Sequence, residues 1–168
     1  IIQFKLEGEI IRRRPEFEMD DRMLLHHIDL KRGVVHIDGK DYTLKDTNWP
    51  TLDPKDPYRL SIEEEDLIRK ILHSFESSEK MKKHMRCFFR HGGMYQVCNS
   101  NLLFHASIPM NPDGTFKSVR ILGQDYKGRA LLDRVDQLIR TAYFKTGEQE
   151  EVEYAHDYIW YLWGGKDS

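Results

Sequence analysis

Apolar residues recur at helical spacing from the start of the chain. Ile2, Leu6, Ile10 and Ile11 fall on one face with charges opposite, which predicts a helix over residues 2–13, weakened slightly by Gly8. Arg14-Pro15 marks its end, because the residue before a proline avoids the helical region. Pro15 suits the first turn of a second helix, with Phe17, Leu24, Leu25 and Ile28 on its inner face. Val34-Val35-His36-Ile37 and Tyr42-Thr43-Leu44 flank Asp38-Gly39 and predict a hairpin over residues 33–45. Pro50, Pro54 and Pro57 within a Thr/Asn/Asp-rich stretch make residues 46–60 an extended loop.

Ser61-Ile62-Glu63-Glu64 is a capping box, and the helix it opens places Leu67, Ile68, Ile71, Leu72 and Phe75 inward. Ser77-Ser78 starts another helix carrying Met81, Met85, Phe88 and Phe89 at helical spacing, which Gly92-Gly93 ends. Residues 94–98 and 102–108 read as paired strands about Asn99-Ser100-Asn101, and Val119-Arg120-Ile121-Leu122 as a short strand before Gly123. Two helices follow. Residues 128–145 turn Leu131, Leu132, Val135, Leu138, Ile139 and Ala142 inward, and residues 150–163 do the same with Val152, Ala155, Ile159 and Leu162. Helices, then strands, then helices make an α+β fold: a helical, cap-like region with a hairpin, then part of a sheet with flanking helices.

Composition narrows the class. A chain of 168 residues with 32% charged and 11% aromatic residues is a soluble globular mix of one domain, or one domain plus an arm. The formal charge of -2 gives no global attraction to nucleic acid or anionic lipid. No apolar stretch approaches the roughly 20 residues of a membrane helix. Cys87 and Cys98 lack metal-site spacing and read as two reduced, buried thiols of a cytoplasmic protein.

Several residues carry possible chemistry. The run Asn101-Leu102-Leu103-Phe104-His105 ends a short apolar strand in an imidazole, where a sheet presents ligands to a site. Asp46 and Asn48 lie on the loop after the hairpin, either as substrate or neighbour contacts or as an Asx-type turn. Arg12-Arg13-Arg14 is a possible phosphate contact. Lys80, Lys82, Lys83, Arg86 and Arg90, with His84 and His91, form either a phosphate-binding stripe or a solvated helix face. His26-His27 points to two faces and makes a poor metal pair, and a helix C-terminus there accounts for positive histidines without a ligand. Trp160, Tyr161 and Trp163 are a binding platform or core packing.

The block from Met94 through Phe116 resembles the large bacterial class III fructose-1,6-bisphosphatases, of the calcineurin-like metallophosphatases. So do Lys5-Leu6-Glu7-Gly8-Glu9-Ile10-Ile11, Arg14-Pro15-Glu16-Phe17-Glu18-Met19 and Leu44-Lys45-Asp46-Thr47-Asn48-Trp49-Pro50-Thr51. Asp53-Pro54-Lys55-Asp56-Pro57-Tyr58, His84-Met85-Arg86 and Ile159-Trp160-Tyr161-Leu162-Trp163-Gly164-Gly165 extend the likeness from end to end. The resemblance makes His105 a metal ligand. Ala106-Ser107 stands where many members read Gly-Cys, which leaves the histidine in place without that thiol.

The family builds a two-metal site from D-x-H, G-D-x-x-D-R-G, G-N-H-D/E, the lone His and G-H-x-H, and only the lone His occurs here. The chain opens at Ile1 without an initiator Met and closes at Ser168 where the family continues, so an internal segment of a longer enzyme is expected. On this view residues 1–92 are mostly a helical cap or insertion, and 93–168 a portion of the phosphatase core with strands in 94–122 and helices in 128–163. The resemblance implies hydrolysis of fructose 1,6-bisphosphate to fructose 6-phosphate in gluconeogenesis, with Mn²⁺ in the parent enzyme and none expected on the segment alone. AMP or phosphoenolpyruvate is an effector under the same resemblance. A non-catalytic regulatory or interaction domain on the family scaffold is the alternative. Nucleic-acid binding by the 80–91 helix is disfavoured by the negative net charge and the acidic run Glu63–Asp66.

Overall fold

The expected first helix forms as α1, Ile2–Arg13. In the computed structural model, which describes residues 1–104 and 107–167, the chain divides into two compact units, Ile1–Ser77 and Ser78–Ser168. No helix among the described residues is long and apolar enough to cross a membrane.

In the first unit, α1 buries Lys5, Gly8 and Ile11, while Ile2, Leu6 and Ile10 are half-buried. Gly8 weakens the helix by propensity, yet it is the residue that lets Tyr58 dock. A Cβ at Gly8 would stand 2.0 Å from Tyr58 Cδ1, so any side chain there displaces the ring. The helix expected from Pro15 is replaced by three 3₁₀ turns, Pro15–Phe17, Asp20–Arg22 and Leu25–His27. Two facts explain this. Glu18 sits in the left-handed region at φ 51°, and the buried pair Phe17 and Met19 lie two residues apart, a spacing no single helix face supplies.

A three-stranded antiparallel sheet follows, from β1 (Ile28–Asp29), β2 (Val34–Ile37) and β3 (Lys40–Thr43). Asp38 and Gly39 form its two-residue turn, both at positive φ, as the Asp-Gly signal requires. The core is a small cluster of Leu25, Leu52 and Tyr58, with Met23, Ile28, Leu30 and Trp49 packed on it. Residues 46–60 are irregular, as their prolines dictate.

The capping box opens α2, Ile62–Glu76. Ser61 Oγ accepts from Glu64 N, and Glu64 Oε2 accepts from Ser61 N at 2.8 Å. The expected inward face of α2 is not buried: Leu67, Ile71, Leu72 and Phe75 are exposed and Ile68 is half-buried. The helix instead buries Glu64, in its first turn, against Lys5.

In the second unit, Ser78 caps α3, Glu79–His91. Of its four expected apolar positions only Phe89 is buried, and Met81 and Phe88 are exposed. Two hairpins follow. One is β4 (Tyr95–Cys98) with β5 (Asn101–Phe104), turning at Asn99-Ser100; the other is β6 (Val119–Ile121) with β7 (Gln124–Tyr126), turning at Leu122-Gly123. All four turn residues have positive φ. The strand expected over 102–108 ends at Phe104 among the described residues. The strands of 94–122 pair within these hairpins rather than in one continuous sheet of described residues. Cys87 and Cys98 are free, as expected, but exposed rather than buried.

Helices α4 (Gly128–Phe144) and α5 (Gln149–Gly164) pack together. α4 buries Leu131, Leu132, Val135, Leu138 and Ala142, as its spacing predicts, while Ile139 is half-buried. α5 buries Ala155 as expected, but its inner face is the stripe Tyr154, Tyr158 and Tyr161, while Val152, Ile159 and Leu162 are half-buried. Large aromatic side chains claim more of the buried surface than the aliphatic residues one or two positions away. Burial pushes the Tyr158 phenol well above its usual range, aided by Tyr154, Tyr161 and Asp167.

Candidate functional site

A groove of about 580 Å³ lies along α3 where the end of α4 meets it. Lys83, Arg86 and Arg90 follow one another at i, i+3 and i+7, so one helix face presents all three charges to it. His91 adds a fourth ionisable group at the helix end. Phe89 and Phe144 form apolar walls, with ring centroids 5.3 Å apart.

Arg140 holds this arrangement together. Its Nη1 donates to the Phe89 carbonyl at 2.7 Å and its Nη2 to the Gly92 carbonyl at 3.1 Å, while Nε donates to Asp136 Oδ2 at 2.6 Å. A guanidinium from α4 therefore caps the carboxyl end of α3, where the helix dipole favours positive charge. It also lies over the Phe89 ring, 5.6 Å from its centroid. Arg140 is spoken for by these partners, whereas Lys83, Arg86 and Arg90 project from the surface.

The residues singled out from the sequence fall in different places. Arg86 lines the groove. Asp46 and Asn48 are exposed, and Asp46 Oδ1 accepts from Asn48 N at 2.8 Å, the Asx turn that their types favour. His105 lies outside the described residues, as does Ala106. The basic stripe divides: Lys83, Arg86, Arg90 and His91 face the groove, while Lys82 pairs with Glu79 at 2.9 Å. Arg12 stacks over Tyr58, 4.7 Å from the ring centroid. His26 and His27 sit in a 3₁₀ turn rather than at a helix end. Burial first, then His27 and Arg12, push the His26 imidazole below its ordinary pKa, so no dipole holds it positive. Tyr161 is buried as packing, and Trp163 is 88% exposed. Among the described residues no three His, Cys, Asp or Glu side chains converge to hold a metal ion.

Sequence reasoning missed Lys5, the most enclosed charge in the first unit. Its Nζ donates to Glu64 Oε2 and to the Thr51 carbonyl, both at 2.7 Å, and Thr51 Oγ1 donates to Glu64 Oε1 at 2.6 Å. Burial works to raise the Glu64 pKa, but the hydrogen bonds from Lys5, Thr51 and Ser61 outweigh it and hold the carboxyl below its ordinary value. This cluster is fully paired internally and serves the fold. The groove on α3, whose Lys83, Arg86 and Arg90 have no carboxylate partner among the described residues and are open to solvent, is the better candidate for ligands.

The family model described as Firmicute fructose-1,6-bisphosphatase matches residues 1–168. A fructose-1,6-bisphosphatase class 3 of Bacteroides fragilis is 63% identical over all of this chain and 25% of its own length. Those of Bacteroides thetaiotaomicron and Clostridioides difficile are 61% and 51% identical, again over the whole chain and 25% of their lengths. The chain thus spans about a quarter of the length of the curated relatives it matches. No solved structure matches it. A match that runs through α1, the proline-rich loop, the capping box and the groove helix alike leaves no part of the chain unaccounted for, and on that ground the chain belongs to the Firmicute fructose-1,6-bisphosphatase family.

Proposed function

We propose that this chain is a segment of an enzyme that hydrolyses fructose 1,6-bisphosphate to fructose 6-phosphate and phosphate, acting in the cytoplasm. The observation that carries this reading is the family match over every residue, together with relatives about four times as long that bear that activity's name. Breaking a phosphate ester with water requires an oriented nucleophile and cations that offset charge on the phosphoryl oxygens. Mn²⁺ is the ion the family likeness implies, and it would supply both. The described residues do not make up a metal centre on their own. His105 is the one ligand proposed from this segment, and the remaining donors belong to other parts of the complete enzyme. Within the segment, cationic side chains are suited to binding and orienting phosphate.

The test is phosphate release from fructose 1,6-bisphosphate with Mn²⁺ present. The complete protein is expected to turn over, and the purified 168-residue chain is not. A folded complete protein without turnover overturns the hydrolase reading; turnover by the short chain overturns the segment reading. His105→Ala in the complete protein is expected to lose both activity and bound metal, and near-normal values of both remove its role.

A further inference from the structure

We propose that the groove between α3 and the end of α4 binds a small phosphorylated anion. Arg86 and Arg90 would grip a phosphate group, Lys83 would add a second charge, and the Phe89 and Phe144 rings would flank the organic body. This goes beyond the hydrolase reading and does not depend on it.

Arg32, Arg69, Arg129 and Arg134 each meet a carboxylate within 4.0 Å. Among the described residues, Lys83, Arg86 and Arg90 meet none at that distance. Glu79 feels the charge of Arg86, but its carboxylate is taken by Lys82 at 2.9 Å. Like charges three and four residues apart on one helix face repel, so a stripe left without acids calls for an anion from outside.

Geometry then selects the anion. Two guanidinium forks four residues apart suit the several oxygens of a phosphate, each fork donating two parallel hydrogen bonds. The carboxyl end of a helix ordinarily repels anions, but here Arg140 covers the Phe89 and Gly92 carbonyls. A volume of about 580 Å³ suits a drug-sized or metabolite-sized ligand with apolar walls and a few charged groups. A long polyanion such as nucleic acid fits less well on a chain of formal charge -2. The phosphate has two possible sources, the sugar bisphosphate of the proposed reaction or another phosphorylated small molecule.

Cys87 supplies a local reporter. It lines the groove and is exposed, while Cys98 is exposed on β4 and is not part of the lining. In the complete natural polypeptide, alkylation by neutral iodoacetamide is followed at each thiol by peptide mass spectrometry. Inorganic pyrophosphate at about four times its dissociation constant is expected to slow Cys87 about fivefold and leave Cys98 unchanged. The exposed double variant R86A/R90A is expected to lose this protection, and R86Q to lose part of it. Protection by fructose 1,6-bisphosphate at lower concentration than by pyrophosphate identifies the substrate as the source; the reverse order identifies another phosphorylated ligand. Four results overturn the proposal: no protection by either anion, equal protection in R86A/R90A, equal slowing by potassium chloride of matched ionic strength, or a Cys87 already unreactive without ligand. An acidic peptide that protects where both phosphates fail also overturns it, in favour of a protein partner.

Discussion

The two units stay folded by different means. Ile1–Ser77 encloses an aromatic ring and a charge: Tyr58 at 1% exposure and Lys5 at 0%. Ser78–Ser168 encloses a run of aliphatic residues on α4 and a tyrosine stripe on α5. The first unit runs largely through 3₁₀ turns and a proline-rich loop, so few apolar side chains fall in register to cover one another. A polar cluster of Lys5, Thr51, Ser61 and Glu64 fills that gap. An irregular segment can hold one geometry when its few buried polar groups all satisfy each other. A periodic segment leans less on such groups, because regular spacing gathers apolar area on one side, although α5 also buries Asp157.

The sharpest way to break this contrast is Lys5→Met. It leaves the Glu64 carboxylate, with a side chain 7% exposed, without its cation. Losing one partner of a buried pair is expected to cost about 3–5 kcal/mol, read as faster amide hydrogen exchange through α1 and the first turn of α2. A loss below about 1 kcal/mol would reduce the pair to an ordinary surface bridge. In the second unit the corresponding blow is Leu138→Ala, at 0% exposure. The cavity it leaves is expected to cost about 2–5 kcal/mol, seen in exchange at α4 and α5 amides. Gly8→Ala tests the docking of Tyr58 and is expected to cost about 1–3 kcal/mol by overpacking; unchanged exchange in α1 would show that the ring yields freely.

A pH titration reaches the polar cluster more gently. The Glu64 pKa is lowered on folding, so its contribution is complete above the ordinary value of 4.5. It is lost as pH falls through the still lower folded value. The first unit is therefore expected to loosen in acid below about pH 4.5, and Glu64→Gln to remove most of that dependence, since the other lowered carboxyls of the unit, Asp41 and Glu63, are exposed and screened by solvent. In the second unit, the lowered carboxyls Glu79 and Asp113 are exposed, where solvent screens their pairing. The smallest effect expected is Leu122→Asn in the β6–β7 turn. Leu122 has φ 48°, and asparagine there should stabilise the hairpin by roughly 0.5 kcal/mol, measured by chemical denaturation.

Legibility followed the same division. α1, the Asp38-Gly39 hairpin, the capping box at Ser61 and most of the inner face of α4 could all be read, because each is signalled by the spacing of residues a few positions apart. β7 was missed because Leu122-Gly123 is a poor sequence signal for a turn with two left-handed residues. The 3₁₀ turns after Pro15 were missed because burial of Phe17 and Met19, rather than local propensity, sets their backbone. The faces assigned to α2 and α3 failed because apolar spacing shows which residues share a side but not whether anything covers it. For the groove, Arg86 and its helical neighbours were visible as a charged stripe. Arg140 and Phe144, which complete it from α4, were not, since that meeting joins residues about fifty positions apart.

Glu64 carries one further consequence. Its two oxygens close the start of α2 and receive Lys5 and Thr51 at once. That makes it a frame-lock: adding or deleting one residue between Thr51 and Ser61 would force the chain to give up the cap or the lysine. The loop between them looks free to vary in length, yet the carboxylate at its far end meters it residue by residue.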